Sequence, residues 1–453
     1  MRVLVHGLAI AGASTVRALQ RRGHEVVVTD DAIDEHKHDL AGALGVVLLQ
    51  TPHDLRAFAC QFDLIAPAPG VPETHDLFAA ASAADVEVVS EIELAYRWEQ
   101  ERPKGPRPIL AVTGTDGKTT TTDMTVAMLR AGGVRAQAVG NTDVPFVDAL
   151  DSDAEAFVVE CSSFRLAATR EFRGDAAVWL NFAPDHLNWH ATLASYESTK
   201  AQVYRRQREG DVAIGHAADP TVMRHLEQAP GRRRTFGLDA ADYHLDGTTL
   251  VGPAGPIVET TSMLRSLPHD VTNALAASAL VLETGLVGTD AIAAALSTFV
   301  AQPHRLEVLG EHGGTTWYND SKATTPHAAA TAVRAFDSLV LIAGGSRKGV
   351  DLSPMAAEAH RVRAVVAIGE AAPDVTAVFR ATTPVTQAAT MGDAVRAAAG
   401  LARPGDAVVL SPGCASFDWY GGYPERGDDF RRLVAELVPV SSPRPSRPVE
   451  TSA

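Results

Sequence analysis

The chain has 453 residues, 46% hydrophobic and 21% charged, enough apolar material for a large core and the length of about three domains of ~150 residues. Its net charge of −15 disfavours non-specific binding to nucleic acid or an anionic membrane, although a local basic groove can still hold phosphates. No run of eighteen uncharged apolar residues occurs, and Cys60, Cys161 and Cys414 are too scattered for a paired framework, so neither a spanning helix nor a disulfide scaffold is expected, and a reducing cytosol is.

The opening "MRVLVHGLAIAGAS" has the apolar look of a leader, but its glycine spacing fits a strand, turn and helix better. "RVLVHG" (2–7) predicts a strand, "STVRALQRRG" a helix stopped by Gly23, and "EVVVTD" (25–30) a second strand. "FDLIAPAPG" predicts a further strand and "SEIELAYRW" a helix. The charged, proline-rich "EQERPKGPRP" (99–108) resists regular structure and marks a boundary near 102. Alternation resumes with "ILAVTG", a helix to about Arg130, and buried-type strands "FVVE" (157–160) and "AAVWLNF" (176–182). Residues 240–262 predict short strands and turns, and "HDVTNALAASALVLETG" a helix with a glycine stop. A second break falls near "VAQPHRLE", giving segments 1–102, 103–302 and 303–440. The last segment carries strands "SLVLIAGG", "RAVVAIGE" and "DAVVLSPG", and the Pro/Ser-rich 441–453 predicts a disordered tail. Strands alternating with helices throughout predict an α/β fold with mostly parallel sheets.

The strongest motif is "VTGTDGKTTTT" (112–122), where a strand should turn into a helix. Gly114, Thr115, Asp116, Gly117, Lys118, Thr119 and Thr120 would present backbone N–H groups and a positive helix end to an anion. Lys118 can reach terminal phosphates and the Thr119 hydroxyl can ligate magnesium. The anion expected is a nucleoside triphosphate. "GLAIAG" is a weaker glycine turn, with Gly7, Ala9 and Gly12 at the spacing of a dinucleotide or other diphosphate site, and plain strand–helix packing is an equal reading. Asp30 or Asp31, after the second strand, can accept from a ribose or base. Glu160 ends a strand and can hold a metal, where a solvated glutamate is the ordinary outcome. His186 and His190 in "NFAPDHLNWH" would share a face on a helix, but too few further ligands stand nearby for zinc. Lys200 reads as a solvated helical lysine. "WYNDSKATTPHAA", "AGGSRKGVD" and "LSPGCASFDWYGGYPERGDDF" each follow a strand, where open α/β sheets bind ligands.

Taken in order, "TGTDGKTT", "ECSSF", "PHR", "NDSKAT" and "SPGCASFD…ERGDDF" resemble the Mur ligase family of ATP-dependent amino-acid-adding enzymes, from about Val3 to Leu437. The last two segments resemble its glutamate-adding member. The resemblance implies a Rossmann-like UDP-binding domain, a central P-loop ATPase-like domain and a Rossmann-like C-terminal domain. It implies that Lys118 contacts the ATP β- and γ-phosphates, that Thr119 and Glu160 hold one magnesium ion, and that His186 holds a second. Lys200 matches a lysine carried as a carbamate, formed with carbon dioxide. Asn273, Arg305 and Asp320 match ATP contacts, and Lys322 a lysine that steadies the transferring phosphoryl group. Asn141 matches a contact to the muramoyl substrate. Thr324, Lys348, Ser416, Phe417 and Tyr423 match positions around the incoming glutamate.

The partners so implied are UDP-N-acetylmuramoyl-L-alanine, glutamate and ATP, for a cytoplasmic monomer that binds neither nucleic acid nor membrane. D-glutamate is the expected enantiomer; L-glutamate or another amino acid on the same precursor is the alternative. Asp116, Ala9, Ala11 and Asp270 depart from the family's usual residues. A folate polyglutamate synthase would lack "SPGCASFD…ERGDDF", a non-catalytic nucleotide sensor would be expected to lack Lys200 or Glu160, and a dinucleotide oxidoreductase has no residues here for hydride chemistry.

Overall fold

A computed structural model describes residues 1–437 apart from Asn188, Lys348 and Val350, so the tail 441–453 and the candidate Lys348 lie outside the described residues. Contacts divide the chain into two compact units: Met1–Ser266 with Asp270–Phe299, and Leu267–His269 with the chain from Val300.

The first unit spans residues 1–299 except Leu267–His269. Its first sheet joins β1 (Arg2–His6), β2 (Glu25–Asp30), β3 (Val47–Gln50), β4 (Leu64–Pro67) and β5 (Glu87–Val88) in the order β3-β2-β1-β4-β5, all parallel. The second comprises β6 (Ile109–Thr113), β7 (Ala136–Gly140), β8 (Ala156–Glu160), β9 (Ala176–Trp179), β10 (Val212–His216) and β11 (Arg232–Phe236). Its order is β11-β10-β9-β6-β8-β7, again parallel. β6, β8 and β9 are buried on both faces, which explains their unbroken apolar sequences. Residues 240–262 form the expected short strands, an antiparallel meander of β12 (His244–Asp246), β13 (Thr249–Gly252) and β14 (Gly255–Glu259).

Helix Glu91–Gln100, capped by the Ser90 hydroxyl, joins the two parallel sheets of this unit. Its apolar side, Ile92, Ala95 and Tyr96, enters one cluster with Val3 and Val5 of β1 and Ala111, Phe157 and Trp179 of the second sheet. Its acidic side does the rest. The fully buried Glu93 carboxylate accepts the N–H groups of Arg170, Glu171 and Phe172 at 2.9–3.1 Å and pairs with Arg97 at 2.8 Å. Glu99 pairs with buried Arg107 at 2.7 Å across the proline-rich connection.

In the second unit, β15 (Glu307–His312), β16 (Thr315–Asn319), β17 (Leu339–Gly344), β18 (Val362–Ile368), β19 (Val385–Ala388) and β20 (Ala407–Gly413) lie in the order β15-β16-β20-β17-β18-β19. Within this sheet the β15–β16 pairing is antiparallel and the others are parallel. Alternate residues of β17 feed opposite faces: Leu339 and Leu341 pack in one cluster, Val340 and Ile342 in the other.

Glu93→Ala would leave the N–H groups of Arg170, Glu171 and Phe172 without their acceptor and Arg97 with Glu87 as its remaining partner. Losing a hydrogen bond to a buried charged group costs about 1.5–3 kcal/mol. Urea unfolding should therefore report a loss of this size, and a loss below ~1 kcal/mol, the scale of a surface pair, would contradict the assigned role.

Candidate active site

At the carboxyl end of β6 the chain makes its glycine turn and enters helix Lys118–Ala131. Gly117 caps that helix at φ +82°, and a Cβ there would lie 2.7 Å from Asn273 Oδ1, so both conformation and space demand glycine. Asn273 stands on helix Pro268–Glu283 and accepts from the Thr121 hydroxyl at 3.2 Å, which brings the predicted adenine residue against the start of the helix that follows the glycine turn. A residue missed in the sequence secures the turn. Asn181, just beyond β9, accepts from the N–H groups of Thr115 and Asp116 at 3.0 and 2.9 Å and donates to the Asp116 carbonyl. The Thr115 hydroxyl meets Tyr196 Oη at 3.2 Å and accepts the Ala183 N–H. Lys118 is half-buried and folds back, donating to the carbonyls of Gly114 and Thr115 at 2.9 and 2.8 Å. Thr119 and Thr120 occupy the first turn, Thr120 buried. Asp270, the departure near the adenine position, is held by Arg265 at 2.6 Å.

Two ordinary expectations fail here. Glu160 is not solvated: it is 1% exposed at the end of β8. Its Oε1 accepts from Asn141 Nδ2 at 2.8 Å, while its buried Oε2 has no hydrogen-bond partner. A carboxylate in that state fits a cation. Lys200 is not solvated either. It ends helix Leu193–Lys200, is 1% exposed, and donates to the Gly114 carbonyl at 2.6 Å, the oxygen that Lys118 also uses. Burial, then the nearby Lys118 charge, holds its amine well below the usual lysine range.

His186 and His190 do not share a helical face, because the chain turns at His186 with φ +55°. Burial, helped by the nearby Lys118 charge, lowers the His186 pKa against the opposing pull of Asp185. The imidazole is thereby kept neutral, the form that ligates metal. His190 instead bridges Glu73 at 3.0 Å and Ser163 at 2.9 Å. Trp189 donates to the Pro69 carbonyl at 2.9 Å, a second tie between the two sheets.

The first glycine turn follows β1. A Cβ on Gly12 would collide with the Gly7 carbonyl, and Ala9 caps helix Ile10–Arg21 without a side-chain bond. Asp30 is buried, and its carboxylate accepts from Leu8 N–H at 2.8 Å, Ala32 N–H at 3.0 Å and Lys37 Nζ at 2.7 Å. It holds the turn, and Asp31 is the aspartate left exposed, within 2.7 Å of Thr51 Oγ1 and 3.1 Å of His75 Nε2. His6, Asp31 and His75 gather ligand atoms within 4.8 Å. His75 Nδ1 accepts the Leu77 N–H, however, so the neutral ring carries its proton on Nε2 and offers Asp31 a donor rather than offering a metal a lone pair.

In the second unit, Asp320, Lys322 and Thr324 follow β16, while Ser416, Phe417 and Tyr423 follow β20, its neighbour in the sheet. Asp320 accepts from the Ser411 hydroxyl at 2.7 Å and from Leu306 N–H at 3.2 Å, next to Arg305. Lys322 Nζ stands 5.5 Å from the centre of the Tyr423 ring. Ser416 is buried and Phe417 is 71% exposed. Buried Arg426, from the quoted "ERGDDF", fastens these loops by donating to Ser321 Oγ and to the carbonyls of Ser321, Cys414 and Ala415 at 2.8–3.1 Å. Burial pushes its pKa down to about 10, still charged at neutral pH.

A helix-start glycine turn with a lysine, a neighbouring carboxylate with a bare oxygen and a buried lysine of lowered pKa fit an enzyme of nucleoside triphosphates. The profile of the Mur ligase middle domain matches residues 112–281, and that of the Mur ligase glutamate ligase domain matches 304–414. A UDP-N-acetylmuramoylalanine–D-glutamate ligase of Frankia casuarinae is 41% identical, covering 95% of this chain and 93% of that protein. The chain belongs to the Mur ligase family. Among solved structures, a pseudomurein peptide ligase type C from Methanothermus fervidus has a TM-score of 0.59 at 16% identity, covering 96% of this chain and all of that one. A MurF ligase from Thermotoga maritima in complex with ADP has a TM-score of 0.58 at 16% identity, covering 83% of this chain and 96% of that one.

Because Lys118 bonds only to carbonyls of its own turn, Lys118→Ala should leave the thermal midpoint nearly unchanged. Turnover should fall by about a hundredfold or more, the effect of losing one preorganised charge at a reacting group. Retention of more than about a tenth of kcat, only ~1.4 kcal/mol, would remove its assigned role.

Proposed function

We infer that the protein is an ATP-dependent ligase that joins D-glutamate to UDP-N-acetylmuramoyl-L-alanine, in the cytoplasmic stage of peptidoglycan synthesis. The near-full-length likeness to the Frankia ligase carries this reading. No helix among the described residues is long and apolar enough to cross a membrane.

A carboxylate is a poor electrophile, so it must be activated. The alanyl carboxylate attacks the γ-phosphorus of ATP, ADP leaves, and an acyl phosphate forms. The glutamate amine then attacks the acyl carbon, loses a proton, and expels inorganic phosphate from the tetrahedral intermediate. The helix N-terminus and Lys118 hold the β- and γ-phosphates. Thr119 and Glu160 would hold one magnesium ion, and His186 with Lys200 a second. Magnesium supplies neutralisation of the charge spread over the phosphoryl oxygens. Asn273 contacts adenine, Arg305 and Asp320 the nucleotide, and Lys322 the transferring phosphoryl group. The Gly7–Gly12 turn and Asp31 receive the UDP part, with Asn141 beside the muramoyl group. Thr324, Ser416, Phe417 and Tyr423 surround glutamate, together with Lys348. In this division of labour, residues 1–102 bind UDP, 103–302 bind ATP and 303–440 bind glutamate.

Lys200 is carried as a carbamate. Only a neutral amine adds carbon dioxide, and the buried, lowered lysine supports that state. The same shift fixes a stability signature. The unfolded lysine titrates near ~10.4, and below that pH the unfolded chain holds a proton that the native one lacks. Native stability from this group therefore rises with pH across the window between the two values. In metal-free, CO2-depleted buffer, Lys200→Met should be more stable than the parent at pH 7, with the gap closing toward pH 10. It should also be almost inactive. Lower stability at pH 7 would contradict the neutral amine.

Phosphate release with UDP-N-acetylmuramoyl-L-alanine and each of D-glutamate, L-glutamate, D-aspartate and meso-diaminopimelate tests the substrate. D-glutamate should lead in kcat/KM by about a hundredfold or more, because a misplaced carboxylate leaves polar partners unpaired. Preference for L-glutamate would overturn the enantiomer, and preference for diaminopimelate the glutamate assignment.

A further inference from the structure

The oxygen that Glu160 leaves bare is chosen by a chain of bonds that starts on the helix after the first sheet. Glu91, 3% exposed, accepts from Val147 N–H at 2.9 Å through Oε1 and from Arg165 Nε at 3.4 Å through Oε2. Arg165, 6% exposed, sits on the short helix Ser163–Leu166 that follows β8. Its NH1 donates to Asn141 Oδ1 at 2.9 Å, and Asn141 Nδ2 donates to Glu160 Oε1 at 2.8 Å.

Each link has a direction. A guanidinium only donates, so the end of the Asn141 amide that faces Arg165 must be the carbonyl oxygen. The amide nitrogen is thereby turned toward Glu160, where it can satisfy one oxygen and not the other. With the amide reversed, its carbonyl would face the carboxylate and repel it. The backbone supports the same register: Gly140 and Glu160 are partners in the β7–β8 pairing, and Asn141 N–H donates to the Glu160 carbonyl at 2.9 Å. Gly140 has φ +93°, and a Cβ there would lie 2.7 Å from that carbonyl oxygen, so the turn that delivers Asn141 needs glycine. Glu91 in turn neutralises Arg165, which would otherwise draw Glu160 away from a cation.

We propose that Arg165, held by Glu91, is a positioning residue that orients the Asn141 amide and thereby presents Glu160 Oε2 to the magnesium ion. The proposal rests on the reading of Glu160 as a magnesium ligand. It makes the helix that packs on the UDP-side sheet part of the support of the metal carboxylate, so the two halves of the first unit are joined at the point of chemistry.

The experiment measures Mn2+ binding to the enzyme–ADP complex by electron paramagnetic resonance, beside steady-state kinetics. Arg165→Met alone would strand Glu91, so the test variant is Glu91→Gln with Arg165→Met, checked for folding by thermal unfolding. Removing an outer partner of a metal ligand weakens metal binding by about 10–100-fold. That loss is expected here, with the KM for glutamate unchanged. Arg165→Lys, which keeps a donor and a charge, should recover most of it. Glu160→Ala separates the two levels. If it leaves Mn2+ binding intact, both the ligand reading and this proposal fall. If it abolishes binding while the double variant binds like the parent, or if Arg165→Lys loses as much as the double variant, the positioning role alone is overturned.

Discussion

A buried carboxylate with one oxygen hydrogen-bonded and the other bare is an unstable arrangement to build into a protein. Leaving a buried acceptor unsatisfied costs about 1–3 kcal/mol, and more when it is charged. Glu160 is in that state at the end of a central strand, and the surrounding groups make sense once its bare oxygen is read as a place for a cation. The phosphate turn lies at the end of the adjacent strand β6, which pairs with β8 residue for residue up to Val112 and Glu160. A triphosphate and a dication would each be costly there alone, and together they neutralise one another.

The electrostatics around that point are consistent. Two lysines converge on the Gly114 carbonyl, and burial beside Lys118 lowers the pKa of the deeper one. His186 is also pushed toward its neutral form. Burial thus disfavours the cationic forms that would repel a metal, while Lys118, half-buried at the helix start, is the lysine proposed to meet phosphate. An acidic chain can hold a polyanion because the positive potential comes from a helix end and a few placed groups, not from net charge.

The alternation of strands and helices was legible because parallel strands buried on both faces must be continuously apolar, as "ILAVT" and "FVVE" are. The phosphate turn was legible because glycine, lysine and threonine at a strand–helix junction have few other uses. Burial was not. Lys200 and Glu160 each have a common solvated counterpart in sequence, and their burial comes from tertiary neighbours, Tyr196 and the Gly114 carbonyl for Lys200 and strands β6 and β7 for Glu160. Asn181, Arg165 and Arg426 escaped notice for a related reason. They hold backbone and amide groups far away in sequence, and no spacing rule announces a partner 24, 65 or 105 residues distant. Asp30 shows the converse, since its position at a strand end suggested a ligand contact and its oxygens are taken by Leu8, Ala32 and Lys37.

The most direct test of a carboxylate built for a cation is the stability of Glu160→Gln with and without metal. In metal-free buffer the neutral amide removes a buried, half-satisfied charge, so the variant should unfold at a higher denaturant concentration than the parent. Magnesium should then add less to the stabilisation of the variant by ATP than it adds for the parent. A variant less stable than the parent that keeps the full magnesium-dependent gain would show that Glu160 is an ordinary structural residue and that the cation is held elsewhere.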